Sequence, residues 1–447
     1  MQAKVLLIGG GGREHAIASA LHRTGAKIFA AMRNKNPGII RISEKVRIVQ
    51  ETDLNTVVEF GKQNTVDFAV CGPEDPLVHG LADALQQHGI PCVGPVQSGA
   101  RIEGSKLFAR ELMKKHKIPG CVDYRLVESV EAFETAFNEL NGNIVIKPIG
   151  LTGGKGVKVM GEHLHTIEDA KNYAKEIIEK KIGQSQSLLV EEKVEGEEFT
   201  LQAFVNEKSV CFSPLVQDHK RLLEGDAGPN TGGMGSYSCE DFSLPFLSAD
   251  DLTMAKEIIV KTVETLKMEG VNYRGFLYGQ FMATRDGVKV IEFNCRLGDP
   301  EAMNVLTLFS SDFTELCWKI AKGESFSQPD FERKATVCKY IVPEGYGIKP
   351  LANEEISVDE TGIVNAGCVP YYAMVNEENG KVYTTTSRAI AVVGIGETVE
   401  QAEQKAENAL KFVRGKVFMR HDIGKMELIR KRVKHMAEVR GKYQCER

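Results

Sequence analysis

The sequence predicts an α/β protein in about three units, a doubly wound parallel sheet first and mixed sheets with helices after it. Three observations carry this. Residues 1–105 alternate short apolar strands with helical patterns; residues 106–325 mix long helices with hairpin-type strands around two Gly-rich loops; residues 326–425 return to a strand–helix mixture. A basic tail, 426–447, follows.

In the first unit the strands are Lys4–Ile8, Lys27–Ala31, Phe68–Cys71 and Pro91–Val93, and the helices Glu14–His22, Leu54–Gln63 and Leu77–His88. Such alternation gives a parallel sheet with helices on both faces, whose ligands bind at the carboxyl ends of the strands. Two loops belong there, Gly9-Gly-Gly-Gly-Arg-Glu-His15 and Gly72-Pro-Glu-Asp-Pro76. A glycine-rich turn opening a helix offers backbone N–H groups and a positive dipole end to an anion. A dinucleotide site would also need an acid at the end of the second strand. Arg33-Asn34-Lys35-Asn36 stands there instead, so the loop reads as a seat for one phosphate monoester, with Arg13 and Arg33 as candidate partners, or as a tight turn required by helix–sheet packing.

The second unit opens with a helix over Lys106–Lys115. Strand-type runs Asn143–Lys147 and Gly156–Met160 bracket Pro148-Ile-Gly-Leu-Thr-Gly-Gly-Lys155. Ile149 occupies the place of the first glycine of a phosphate-binding P-loop, and Gly156 follows the lysine where Ser or Thr belongs. The stretch reads instead as a hairpin flap whose amides and Lys155 close over phosphates while Lys147 reaches in from the strand. Glu191 to Glu198 is acid-rich, a solvated loop or the carboxylate that grips a ribose. Gln217-Asp-His-Lys-Arg221 precedes the second Gly-rich loop, Gly228–Ser236, too glycine-rich for a core and suited to closing over an anionic substrate. A helix spans Leu252–Met268.

Asp286-Gly287 then turns a hairpin between Tyr278–Ala283 and Val288–Phe293. Side chains alternate along a strand, so Glu292, Asn294 and Arg296 share one side while Ile291 and Phe293 face a core. A carboxylate and an amide oxygen two residues apart are hard ligands suited to Mg²⁺ or Mn²⁺ beside a phosphate. An edge strand ending in polar residues gives the same spacing.

In the third unit Thr336–Val342, Ile363–Val364 and Ala389–Val393 read as strands, and Thr398-Val-Glu-Gln401 as a capping box opening a helix. Arg388 is its candidate contributor to the cleft. The tail is a basic amphipathic helix, read as a solvated surface helix with nucleic-acid or membrane binding as the minority reading.

Composition narrows the classes. A net charge of −5 and 42% hydrophobic residues give no electrostatic reason for a nucleic-acid or membrane partner. The ten cysteines are scattered without a C-x-x-C pair, as expected in a reducing cytoplasm. The N-terminal apolar run is too short for a signal peptide, and no stretch approaches the ~20 residues of a membrane span.

Taken together, GGREHA (11–16), GPEDPLV (72–78), GSK (104–106), VIK (145–147), GGKGV (153–157), QDHKR (217–221), GPNTGGMGSYS (228–238), GFLY (275–278), IEFNCRLGDPE (291–301) and DIG (422–424) resemble an ATP-grasp enzyme. Within that superfamily the chain is similar, over about residues 1–425, to the phosphoribosylamine–glycine ligase (glycinamide ribonucleotide synthetase) family. The resemblance implies an ATP-grasp fold with a mobile lid over about 120–193, and ATP-dependent joining of glycine to 5-phosphoribosylamine through glycyl phosphate. Its implied partners are these small molecules with Mg²⁺ or Mn²⁺, in a cytoplasmic monomer or weak homodimer. It places Lys106 and Lys147 on the ATP phosphates with Gly153, Gly154 and Lys155 above them. Glu191, the Val194 backbone and Glu198 then take adenine and ribose, and Glu292 and Asn294 the metal. Gly11, Gly12 and Arg13 are implied on the ribose phosphate, with Glu14, Glu74, Asn230, Gly232 and Gly233 completing the substrate side. Arg296, Lys220 and Asp218 are the catalytic candidates. The chain departs from the family pattern at Arg33–Gly38, at the start of the flap, and at Thr386-Ser387-Arg388. Other ATP-grasp ligases, and a nucleotide sensor without catalysis, are the alternatives.

Overall fold

The computed structural model describes residues 2–152 and 156–441; the expectations for Gly153, Gly154 and Lys155 and for the end of the tail lie outside the described residues. Five parallel strands, β1 (Lys4–Ile8), β2 (Lys27–Met32), β3 (Ser43–Ile48), β4 (Phe68–Cys71) and β5 (Cys92–Val93), are ordered β3-β2-β1-β4-β5. Winding reverses between β1 and β4, so both predicted loops leave at the switch point, where such sheets bind ligands. Strand β3 escaped the sequence pattern because it is an edge strand whose SEKVRI side chains are largely exposed. The run expected as one helix, Leu77–His88, breaks at Gly80 into Glu74–Val78 and Leu81–Gln87.

The second unit contains a small lobe with its own apolar core, centred on Val127, Phe133, Ile144, Ile146 and Ile177. Its strands β6 (Tyr124–Val127), β7 (Ile144–Pro148), β8 (Lys158–Val159) and β9 (Leu188–Glu192) are ordered β6-β9-β7-β8. The helices Val130–Glu139 and Ile167–Lys180 cover it. Beside it β10 (Glu197–Val205) and β11 (Val210–Phe212) form an antiparallel sheet with the long hairpin Gly275–Thr284 and Gly287–Asn294.

The third unit does not stand apart as the sequence suggests. Strands Gln217–Asp218 and Gly235–Ser238, from the QDHKR and Gly-rich segments, join its six-stranded sheet through Ala335–Pro343. Ile363 and Val364, expected in a strand, lie in the helix Glu360–Asn365, opened by the Asp359 side chain on the Gly362 amide. Thr398 caps its helix as expected, through the Gln401 amide.

The first helix, Gly12–Arg23, packs on the third unit, and there His15 Nδ1 accepts from the Tyr372 amide at 2.8 Å. Burial holds this imidazole at about 4, so it is neutral at pH 7. A depressed histidine costs stability as pH falls below its unfolded value of about 6.5, because only the unfolded chain takes up the proton. The share owed to His15 is about 3 kcal/mol between pH 6.5 and 4, read as the difference between the pH dependence of urea unfolding in the parent and in His15→Gln.

No helix among the described residues is long and apolar enough to cross a membrane.

Candidate active site

A cleft of about 870 Å³ opens between the small lobe, the hairpin and the substrate-side loops. Its floor is the hairpin, whose register shifts between Gln280 and Phe281: Gln280 faces Glu292, but Phe281 faces Val290. Ile291 is thus a bulge residue without a ladder partner. The bulge breaks the expected alternation, and Ile291 is half-buried against the cleft while Phe293 alone takes the core. Its freed carbonyl accepts from Arg110 Nη2 at 2.9 Å and Lys147 Nζ at 3.1 Å.

Both cations also grip Glu191. Arg110 bonds it bidentately, at 2.7 and 2.9 Å, and Lys147 Nζ lies 2.7 Å from Oε2. Burial alone would raise this carboxyl, but Arg110 and Lys147 hold it at about 2. Glu191 therefore anchors Lys147 at the wall, rather than reaching toward a ribose as the sequence suggested. Lys106 stands alongside, its Nζ on the Gly150 carbonyl at 3.0 Å, and burial lowers its pKa. Val194 and Glu198 line the same cleft.

Glu292 and Asn294 face the cleft together. Glu103 fixes the amide of Asn294, accepting from Nδ2 at 2.9 Å and from the Cys295 amide at 2.7 Å, which turns Asn294 Oδ1 outward as an acceptor. Burial pushes Glu103 up to about 7. Arg296 is held between Glu103 at 3.0 Å and Glu74 at 3.1 Å, and Glu74, opposed by burial but drawn down by Arg296 and Arg13, sits at about 2. No group of three or more His, Cys, Asp or Glu among the described residues is arranged for a metal. A carboxylate and an amide oxygen fit Mg²⁺ or Mn²⁺ when phosphate and water complete the shell, which is how Mg²⁺ is held in phosphoryl-transfer sites.

Across the cleft, Lys220 pairs with Glu198 at 3.0 Å, and Gln280 donates to the same carboxylate. Burial works against the Lys220 charge, but Glu198 and Asp218 raise its pKa. Burial likewise lifts Asp218 above the usual carboxylate range, and its Oδ1 is buried without a partner among the described residues. Glu301 accepts from Tyr278 at 2.9 Å beside it. Asn230 and Gly232 line the cleft. Arg388, from the third unit, does not line the cleft itself but donates to the carbonyls of Gly232 (2.5 Å), Gly233 (3.2 Å) and Asp299 (3.0 Å).

The first Gly-rich loop is arranged differently from the expectation. Gly11 donates its amide to Glu14 Oε2 at 2.7 Å, and Arg13 pairs with Glu14 Oε1 at 2.6 Å and with the Leu297 carbonyl at 3.1 Å. Arg13 and Glu14 are both buried. A Cβ on Gly72 would run into the Glu14 carboxylate, so the second loop is glycine there to make room for it. Gly12 packs on the Tyr340 hydroxyl. The loop's anion-binding amide is thus taken by the protein's own carboxylate, and the loop backs the Arg296–Glu74 pair from behind. Arg33 is exposed, its amide on Glu51.

Glu103, Arg110, Gln280 and Glu301 also line the cleft, and the sequence does not single them out. Arg110 was discoverable: it follows Lys106 by four and shares its helix face. Glu103 carried no signal, since its partners come from the distant hairpin.

Comparison with known proteins gives the family. The N, ATP-grasp (A) and C domains of phosphoribosylglycinamide synthetase match residues 3–103, 104–302 and 336–426. The chain is 51% identical to a phosphoribosylamine–glycine ligase of Methanocaldococcus jannaschii, covering 98% of this chain and 100% of the relative. It is 50% identical to one of Methanosarcina acetivorans, covering 99% of each. The crystal structure of phosphoribosylamine–glycine ligase from Thermotoga maritima superposes with a TM-score of 0.81 at 28% identity, over 94% of this chain and 99% of that one. The chain belongs to the phosphoribosylglycinamide synthetase family.

Proposed function

We propose that the protein joins glycine to 5-phosphoribosylamine at the expense of ATP, giving glycinamide ribonucleotide, ADP and phosphate. The observation that supports this best is the convergence of Lys106, Lys147, Lys220 and Arg296 around the Glu292–Asn294 pair in one cleft. Such a site neutralises and positions phosphates, and phosphoryl transfer asks for little else.

In this reading a glycine carboxylate oxygen attacks the γ-phosphorus and the bond to ADP breaks. The phosphoribosylamine nitrogen then attacks the acyl carbon, losing a proton, and phosphate departs. Lys106 and Lys147 lie against the phosphates, with Gly153, Gly154 and Lys155 of the flap as further candidates. Val194 and Glu198 serve the adenosine half, and Glu191 fixes Lys147. Lys220 and Arg296 meet the carboxylate and acyl-phosphate charge, with Asp218 between them and the amine. Glu292 and Asn294 would hold Mg²⁺ or Mn²⁺, which when bound would neutralise phosphate charge. An acyl phosphate hydrolyses readily, so the cleft must exclude water while it exists. Gly232 and Gly233, held by Arg388, close the substrate side with Asn230. Gly11, Gly12, Arg13 and Glu14 support it from behind, together with Glu74.

A coupled ADP-release assay tests the reading. Turnover should require both glycine and phosphoribosylamine; equal release with formate or bicarbonate in place of glycine would reassign the substrate. Arg13→Ala should raise the KM for phosphoribosylamine about tenfold, about 1.4 kcal/mol, and leave that for ATP within about twofold. An equal rise in both would move the first loop to the nucleotide side.

A further inference from the structure

The C-terminal helix, Met426–Val439, is not the solvated surface helix its charges suggest. It buries Leu428, Ile429 and Met436, and Arg440 just beyond it bonds Asp251 at 2.7 and 2.9 Å. Two of its side chains, Arg432 and His435, line the cleft itself.

Their partners are informative. His435 Nδ1 lies 2.7 Å from Glu197 Oε1, and Arg432 Nη1 lies 3.0 Å from Glu197 Oε2, so both oxygens of one buried carboxylate are held by this helix. The other arm of Arg432, Nη2, bonds Asp226 Oδ2, while Asp226 Oδ1 faces Arg420 and His219. Glu197 begins β10, one residue before Glu198; neighbours on a strand face opposite ways, and Glu198 reaches Lys220 and Gln280. Asp226 stands at the head of the second Gly-rich loop, immediately before the strand Ala227–Asn230. One guanidinium therefore spans the segment assigned to the nucleotide and the loop assigned to the substrate. Its Nε is buried without a partner among the described residues, so the side chain sits where its two Nη arms require.

We propose that Arg432 and His435 are positioning residues, and that the C-terminal helix clamps the Val194–Glu198 segment for the nucleotide and ties it to the 226–236 loop. His435 acts on the nucleotide segment alone, through Glu197 at 2.7 Å and Glu195 at 3.9 Å; Arg432 acts on both sides. The proposal rests on the nucleotide reading of this end of the cleft.

The two side chains separate the arms. In the full chain, His435→Ala should weaken ADP binding, measured by isothermal titration, about fivefold and leave the KM for glycine unchanged. Arg432→Gln should weaken ADP binding at least as much and raise the KM for glycine as well. Arg432→Lys should resemble Arg432→Gln, because an ammonium restores the charge but cannot bridge two carboxylates as a planar fork does. Thermal midpoints within about 2 °C of the parent would mark the loss as local. Unchanged ADP binding in both variants, or full recovery with lysine, would overturn the clamp. So would a weakening matched by a large drop in thermal midpoint, since that is what a purely structural helix predicts. ADP binding is read without turnover, so a parent protein that binds ADP but does not ligate glycine would refute the proposed reaction and still test the clamp.

Discussion

Replacing Glu292 by Ala is expected to abolish glycine-dependent ADP release, by about 10³-fold or more, equivalent to about 4 kcal/mol of barrier. The magnitude follows from position. Glu292 is half-buried in the cleft, its charge acts on both Lys106 and Lys220, and with Asn294 it forms the outward oxygen pair of the hairpin. Its loss takes one of several counter-charges from Lys106 and from Lys220, which keeps Glu198, and removes the carboxylate from the oxygen pair proposed for the metal. Circular dichroism and urea midpoints should match the parent, because Val290 and Phe293, not Glu292, bury the strand. Near-normal turnover, with a metal still bound in the variant, would end the assignment.

Arg110→Ala is the second large effect, and it falls on stability first. Arg110 satisfies both oxygens of the buried Glu191 and the bulged carbonyl of Ile291. Removing one member of such a buried pair leaves an uncompensated charge and typically costs about 3–5 kcal/mol. Lys147 would be drawn wholly to Glu191, so ATP affinity should fall with it. Urea unfolding and ADP titration check the two together. A destabilisation below about 1 kcal/mol would mean that water replaces the guanidinium and that the cluster is softer than its geometry implies. Arg110→Lys should recover only part of the loss, since an ammonium cannot make the bidentate contact.

How much of this was legible in the chain depended on distance along it. The hairpin, the Lys106 helix and the parallel strands were readable because each is written in a local period or a turn signal, such as Asp286-Gly287. What the local pattern could not show was where side chains meet. The bulge at Ile291 leaves no mark in an alternating strand, and it decides which residues face the cleft. Glu191 looked like a free acid because its two cations lie 81 and 44 residues away. Arg13 looked like a phosphate ligand because its neighbour Glu14 gave no hint of folding back onto the loop amide. The basic tail looked solvated because its acidic partners, Glu197 and Asp226, lie more than 200 residues upstream.

Arg388 also has a consequence in time. It binds the Asp299 carbonyl from 89 residues later in the chain, and the Gly232 carbonyl from 156 residues later. At a synthesis rate of about 5–20 residues per second, the Gly-rich loop and the Asp299 segment leave the ribosome roughly 4–30 s before the residue that joins them. During that interval the nascent chain carries the Gly-rich loop and the Asp299 segment without the side chain that ties them together. Those two contacts of Arg388 therefore form only after the third unit has been made.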